Sequence, residues 1–132
     1  MTIAARKPYN PVVTFISKSF AFDTNGISTA ATVQIGTLPL GALVLQTIVR
    51  VKAAFNAATT NVIIVGTSTD DDEFIESGDV DEATVDTYFS DRSAGIVMTA
   101  DTPVYVQYTQ TGTAATTGSA DVVITYIPRI ES

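Results

Sequence analysis

Side chains branched at Cβ dominate this sequence. Thr, Val and Ile number 21, 15 and 12, so 48 of 132 residues are stiff at χ1, whereas Leu occurs only four times. Such side chains lose rotamer freedom in a helix and pack well on a pleated surface. Whatever this chain folds into is therefore expected to be built from sheets.

The order of the residues says the same. In VVTFISKSFAF at 12–22, Ile16, Lys18, Phe20 and Phe22 share one parity, and Phe15, Ser17 and Ser19 the other. Alternation at period two marks a strand. Asp23-Thr24-Asn25-Gly26 ends it, Asn-Gly being a strong short turn signal. Alternation resumes at 29–35 and is broken by LPLGA at 38–42. The longest strand is expected over 43–55. There Leu43, Leu45, Thr47, Val49, Val51, Ala53 and Phe55 form one face, and Val44, Gln46, Ile48, Arg50, Lys52 and Ala54 a mixed, wetter one. Further strands are expected at 61–67, 94–99, 103–110 and 120–127, with a small-residue loop at 111–119 and Pro128 as a stop. Seven to eight strands separated by turn signals predict an all-β fold, an antiparallel β-sandwich or jelly roll.

A length of 132 residues suits one domain. Residues 1–11 carry no periodicity, and Pro8 and Pro11 forbid a helix there. They are expected to form an extended N-terminal arm ahead of a single β domain at 12–132. Such an arm is either frayed or laid across a neighbour, and Arg6, Lys7 and Tyr9 give it the means to grip. Charged residues make up 16% against 45% hydrophobic. So little charge, against about 25% in ordinary soluble domains, points to surface buried against other chains, although Thr and Ser can also cover it.

Composition excludes several kinds of chemistry. Without Cys there is no disulfide framework and no thiolate nucleophile or ligand. Without His the commonest general base and metal ligand are missing. No apolar run approaches the length of a membrane span, and the start of the chain does not have the pattern of a signal peptide. The net charge is −7, with seven Lys and Arg scattered along the chain, so no direct grip on nucleic acid is expected. No phosphate-binding or nucleophile-elbow motif is present. No cofactor, metal or catalytic residue is assigned.

One stretch is unusual. Ten of the fourteen acids fall within 70–91, among them Asp70, Asp71, Asp72 and Glu73. Phe74, Ile75, Val80, Val85, Tyr88 and Phe89 lie among them, so the stretch is expected to pack as a loop, with a helical turn near 71–75. It fits a solvated acidic face, a contact for a basic partner, or a calcium site. Calcium takes six to eight oxygens, but EF-hand spacing fails because Phe74 occupies a ligand position. A paired-carboxylate glycosidase would need an aromatic-lined cleft, and the chain has no Trp. Val62, Ile63 and Ile64, in the apolar run at 61–65, are either ordinary core or a subunit contact.

Several stretches resemble the small β-rich decoration, or cement, proteins of tailed bacteriophage capsids. They are LPLGA at 38–42 leading into the long strand, NVIIVGTS at 61–68 followed by acids, ADTPVYV at 100–106, and TGTAATTGSA at 111–120 running into VVITYIP at 122–128. The resemblance covers about residues 38–128. It implies a non-enzymatic structural protein on the capsid exterior, a homo-oligomer, most often a trimer, whose partner is the major capsid protein. Proteins of this composition also occur as tail, fibre or head–tail joining subunits, and a ligand-binding β-sandwich module is the remaining alternative. The candidate interface residues are Arg6, Lys7 and Tyr9 of the arm, Val62, Ile63 and Ile64, and Asp70, Asp71, Asp72 and Glu73.

Overall fold

The structure is a computed structural model and describes residues 12–129. The expected arm, with Arg6, Lys7 and Tyr9, lies outside the described residues.

Seven strands form, β1 (Thr14–Ala21), β2 (Val33–Leu38), β3 (Leu43–Ala53), β4 (Thr60–Gly66), β5 (Thr87–Ser90), β6 (Thr102–Thr111) and β7 (Ser119–Ile127). They pair antiparallel in a four-stranded sheet ordered β1-β7-β3-β5 and a three-stranded sheet ordered β2-β6-β4. Each successive strand crosses to the other sheet, the winding of a jelly roll. No helix occurs among the described residues, so the expected turn of helix near 71–75 is absent.

The period-two alternation buries one parity of each strand between the sheets. Val49, Val51, Val122 and Ile124 from the four-stranded sheet meet Ile63, Val65, Val104 and Val106 from the other. Phe55 anchors one end of this core, its ring centroid 6.2 Å from that of Phe20 and 4.7 Å from that of Tyr108. A Cβ at Gly118 would lie 2.3 Å from the Phe55 ring, so only glycine admits that ring beneath the start of β7. On β1 the parity holds as expected: Phe20 is buried, Phe15 is exposed, and Ile16 and Phe22 pack on the core. Lys18 shares the inward parity but sits on an edge strand and reaches solvent, an arrangement that blunts edges against unwanted pairing.

Two expectations change. A bulge between Val44 and Gln46 places Leu45 as an extra residue in β3. One extra residue reverses the parity before it, so Val44 is fully buried while Leu43 and Leu45 turn outward. Residues 94–99 do not form a strand. Ser93 and Gly95 have φ of 61° and 88°, which bends the backbone, and Val97 makes a single bridge to Leu43. The edge strand beside β3 comes earlier instead, at β5, inside the acidic stretch.

That stretch closes the side of the sandwich. β4 is an edge strand, so its alternate N–H groups point away from β6 and need other partners. Ile63 N–H donates to Glu82 Oε2 at 2.9 Å. Val65 N–H donates to Ile75 O at 3.1 Å, and Thr67 N–H to Asp70 O at 2.8 Å. Phe74 and Ile75 are buried, and the bridge from Ile75 to Val65 stands where an eighth strand would lie. Farther on, Val51 N–H donates to Asp86 O and Phe55 N–H to Glu82 O, each at 2.9 Å, along β3. Gly66 makes the crossing possible, because a Cβ there would lie 2.2 Å from Asp70 O.

Candidate interface

The outward faces of the two sheets differ in chemistry. On the three-stranded sheet, Gln34, Tyr105, Gln107 and Thr109 face out, with Val62 and Ile64 at the β4 edge. An antiparallel sheet with one wetted face has this polar covering. The four-stranded sheet does not. Register places Ser17, Val123, Ile48 and Phe89 in one row across it. Nearer the end where β1 begins, Phe15 is opposite Thr125, and Leu43 lies between Ile127 and Val97. Phe15 is 60% exposed, Phe89 58% and Val97 54%. Side chains in facing positions lie about 5 Å apart, so Val123, Ile48 and Phe89 form one apolar stripe, with Phe15 diagonal to Val123 and Ser17 and Thr125 beside them. Covering a Phe of this kind is worth about 1.5–3 kcal/mol, and contiguous apolar surface marks an interaction site.

The far end of the same face is ionic. Asp121 lies opposite Arg50. Its Oδ1 accepts from Ser19 Oγ at 2.6 Å and stands 2.9 Å from Lys52 Nζ. Burial pushes the Asp121 carboxyl up, but Ser19, Lys52 and Arg50 outweigh it and hold it below 3.8. The stripe thus has a charged boundary on one side, as the polar rim of a protein interface does.

The candidates from the sequence fall in different places. Val62 and Ile64 are half-buried on the opposite sheet's outer face. Ile63, between them, is fully buried in the core and offers no surface. Asp70 and Asp71 are exposed just after the end of β4, and Asp72 and Glu73 are half-exposed beside them. Asp70, Asp71 and Asp72 bring their carboxylates within 4.8 Å of one another. The hydrogen bond with Asp70, burial and the charges of Asp70, Asp71 and Glu76 together raise the Asp72 carboxyl above 3.8. Together they hold six oxygens, the lower limit of what calcium takes, and calcium would need all three to bind through both oxygens. Arg92 ties the base of this stretch, 2.8 Å from Glu76 and with paired contacts of 3.1 Å to Asp79.

The reading from sequence did not single out the apolar stripe. The signal for it was present: the outward parities of β3 and β7 carry Ile48 and Val123 among polar residues, and the sequence has Phe15 and Phe89 where a wetted strand would carry polar groups.

No protein-family model matches the sequence, and no curated protein does. Solved structures do resemble the fold. A chain of the capsid asymmetric unit of cyanophage Pam1 is 23% identical with a TM-score of 0.70, over 97% of each chain. A chain of the acidic stable capsid of Helicobacter pylori bacteriophage KHP30 is 19% identical with a TM-score of 0.61, over 92% of this chain and 94% of that one. A chain of the Ralstonia phage GP4 capsid is 17% identical with a TM-score of 0.58, over 95% and 90%. At these identities the likeness is one of fold: over nearly its whole length the chain is wound like chains of three phage capsids.

Proposed function

We propose that this protein is a non-enzymatic structural component of a phage virion, a decoration or cement protein that binds the capsid exterior and bridges neighbouring copies of the major capsid protein. The observation that carries the reading is the apolar outward face of the four-stranded sheet, from Phe15 through Val123 and Ile48 to Phe89. The fold likeness to capsid chains supports it. So does the low charge of the chain, which points to surface buried against other chains. A clamp works by burying area on several subunits at once, and a cyclic homo-oligomer, a trimer in this reading, multiplies modest contacts into avidity.

The test uses heads of the parent phage that lack the protein. Added wild type should bind stoichiometrically and raise the temperature at which heads release DNA. Ile48→Lys and Phe89→Ser should fold normally yet lose at least tenfold in affinity, since each removes apolar cover or adds a charge that must be desolvated. Heads that neither bind the protein nor gain stability would overturn the reading. Label confined to the tail or to one vertex would instead favour a tail, fibre or joining subunit.

A further inference from the structure

The turn after β1 carries the chain's one Asn-Gly pair, Asn25 and Gly26. The fold requires glycine there. Gly26 has φ of 80°, a conformation that a Cβ disfavours, and a Cβ at that position would lie 2.6 Å from Thr32 Cγ2. Asn25 is exposed. Among the described residues its side-chain amide has no hydrogen-bond partner, and neither has the Gly26 N–H.

The other asparagines are placed differently. Asn56 donates to Thr116 Oγ1 at 3.0 Å and accepts from the N–H groups of Thr116 and Thr117 at 2.8 and 3.0 Å. Asn61 donates to Ala57 O at 3.1 Å and accepts from the Ala57 N–H at 3.0 Å and the Tyr108 hydroxyl at 2.6 Å. Each is followed by a residue with a side chain, Ala57 or Val62, which crowds the next nitrogen. Asn10 precedes Pro11, whose nitrogen has no hydrogen to lose.

Asparagine is thermolabile because the nitrogen of the following residue can attack its side chain. Here the Gly26 nitrogen gives its proton to water and bonds to Asn25 Cγ. The Cγ–Nδ2 bond breaks, and Nδ2 takes up a proton and leaves as ammonia, which closes a cyclic imide. Water then opens the ring. Attack at Cγ yields aspartate. Attack at the main-chain carbonyl yields isoaspartate, in which the backbone runs through Cβ and Cγ. The net change is one water taken up and one ammonia released. An unengaged amide beside an unengaged, unhindered nitrogen is what the first step needs, and among the described residues only Asn25 and Gly26 supply both.

We infer that Asn25 is a site of spontaneous modification, converted by the Gly26 nitrogen to isoaspartate and aspartate, and that the isoaspartate loosens the connection from β1 to β2. That connection is fastened on both sides of the pair. Ala21 N–H donates to Thr24 Oγ1 at 2.8 Å. Ile27 N–H donates to Thr24 O and Thr29 N–H to Gly26 O, each at 3.0 Å, and Tyr108 N–H to Ile27 O at 2.9 Å. Ile27 is buried. Isoaspartate adds a main-chain carbon inside the ring that the Thr24–Ile27 bond closes, so that bond and the burial of Ile27 cannot both keep their geometry. The new carboxylate also stands two residues from Asp23, in a chain of net charge −7. The inference needs only the folded chain and is independent of the virion reading.

The test ages purified protein in warm, mildly alkaline buffer and digests it with trypsin. The peptide 19–50 has Asn25 as its only asparagine, and 53–92 contains Asn56 and Asn61. Amide-to-acid exchange is expected in 19–50 at least tenfold faster than in 53–92, with isoaspartate at 25 read by isoaspartyl methyltransferase. Asn25→Ser has no amide to lose and should leave 19–50 unchanged. Native protein whose 19–50 stays unchanged through several lifetimes of the same peptide free in solution would overturn the inference, because the turn would then protect Asn25. Exchange that appears first in 53–92 would overturn it too. The isoaspartate form, separated by ion exchange, should melt lower than fresh protein, while freshly purified Asn25→Asp should melt with the wild type. An isoaspartate form that melts with fresh protein would overturn the loosening and leave the modification standing.

Discussion

Glu82 and Ile63 are nineteen residues apart in sequence and joined across the side of the sandwich, the buried carboxylate Oε2 accepting the Ile63 N–H at 2.9 Å. The bond seals the outer edge of β4, and it also buries a charge. Burial pushes the Glu82 carboxyl above 4.5; the Ile63 N–H opposes that and Asp81 adds to it. A carboxyl raised by folding holds its proton more tightly in the native state. Its stabilising contribution is complete below the unfolded value and lost as pH rises through the folded one. Glu73, raised by burial and Asp70, acts in the same sense. Asp79 and Asp121 are lowered, so theirs is present above 3.8 and lost as pH falls through their folded values. Thermal melts from about pH 3 to pH 8 should show greatest stability in mild acid, with a decline on both sides. Glu82→Gln keeps an acceptor for Ile63 and should flatten the decline toward neutral pH. Glu82→Ala leaves that N–H unpaired and should cost about 1–3 kcal/mol.

Arg92 clips the acidic stretch to the body through Asp79 and Glu76. Burial pushes the Asp79 carboxyl up, but the Arg92 guanidinium and the Glu76 N–H hold it below 3.8. Arg92 is 39% exposed, so solvent screens the pair. A double-mutant cycle of Arg92→Ala with Asp79→Asn should return a small favourable coupling, as for other solvent-screened pairs. The coupling should fall by half or more in molar salt. A coupling near zero would mean that the backbone bonds of 70–86, not the ion pair, hold the stretch in place.

Gly66 is where the backbone of Asp70 and Asp71 passes over the end of β4, 2.2 and 2.4 Å from the place a Cβ would occupy. Those atoms are main chain and cannot swing aside. Gly66→Ala should therefore cost at least about 2 kcal/mol in denaturant unfolding. Gly78→Ala is the control for glycine loss alone, since nothing lies near its Cβ position. Its positive φ of 97° adds a strain that contacts do not explain, so the Gly66 variant must exceed it for the crossing to be the cause.

The sandwich was legible in the sequence because alternation at period two survives wherever one face is buried. Val49, Val51, Val122 and Ile124 are where that rule puts them. What alternation cannot carry is a one-residue bulge. Leu45 is apolar, and so are Val44 and Leu43, so nothing in the residue types marks which of them is the extra one. Hydrogen-bond register in β3 decides it. β5 escaped notice for a related reason: four residues are too few to show a period, and acids surround them. The apolar stripe depends on rows across strands far apart in sequence, Val123 beside Ile48 beside Phe89. Such rows exist only once the pairing is known. Ile63 was a plausible surface residue by its run of neighbours, but the core claims every second residue of β4, and Ile63 has the parity of Val65.

Thr47 gives the last prediction. Its side chain lies on the inner face of β3, opposite Ile124 and Ser90, fully buried, and its Oγ1 has no hydrogen-bond partner. A hydroxyl in that position has given up water without recompense, at a cost of about 1–3 kcal/mol. Valine has the same branched shape and suits a strand as well. Thr47→Val should raise stability by about 1 kcal/mol, read as a higher denaturant midpoint with an unchanged slope. The substitution points into the core, whereas the stripe of Ile48 and Phe89 points out. Binding to heads should therefore be unaltered, separating the two faces of one sheet by experiment. Weakened head binding at full stability would mean that the outer face feels the packing beneath it.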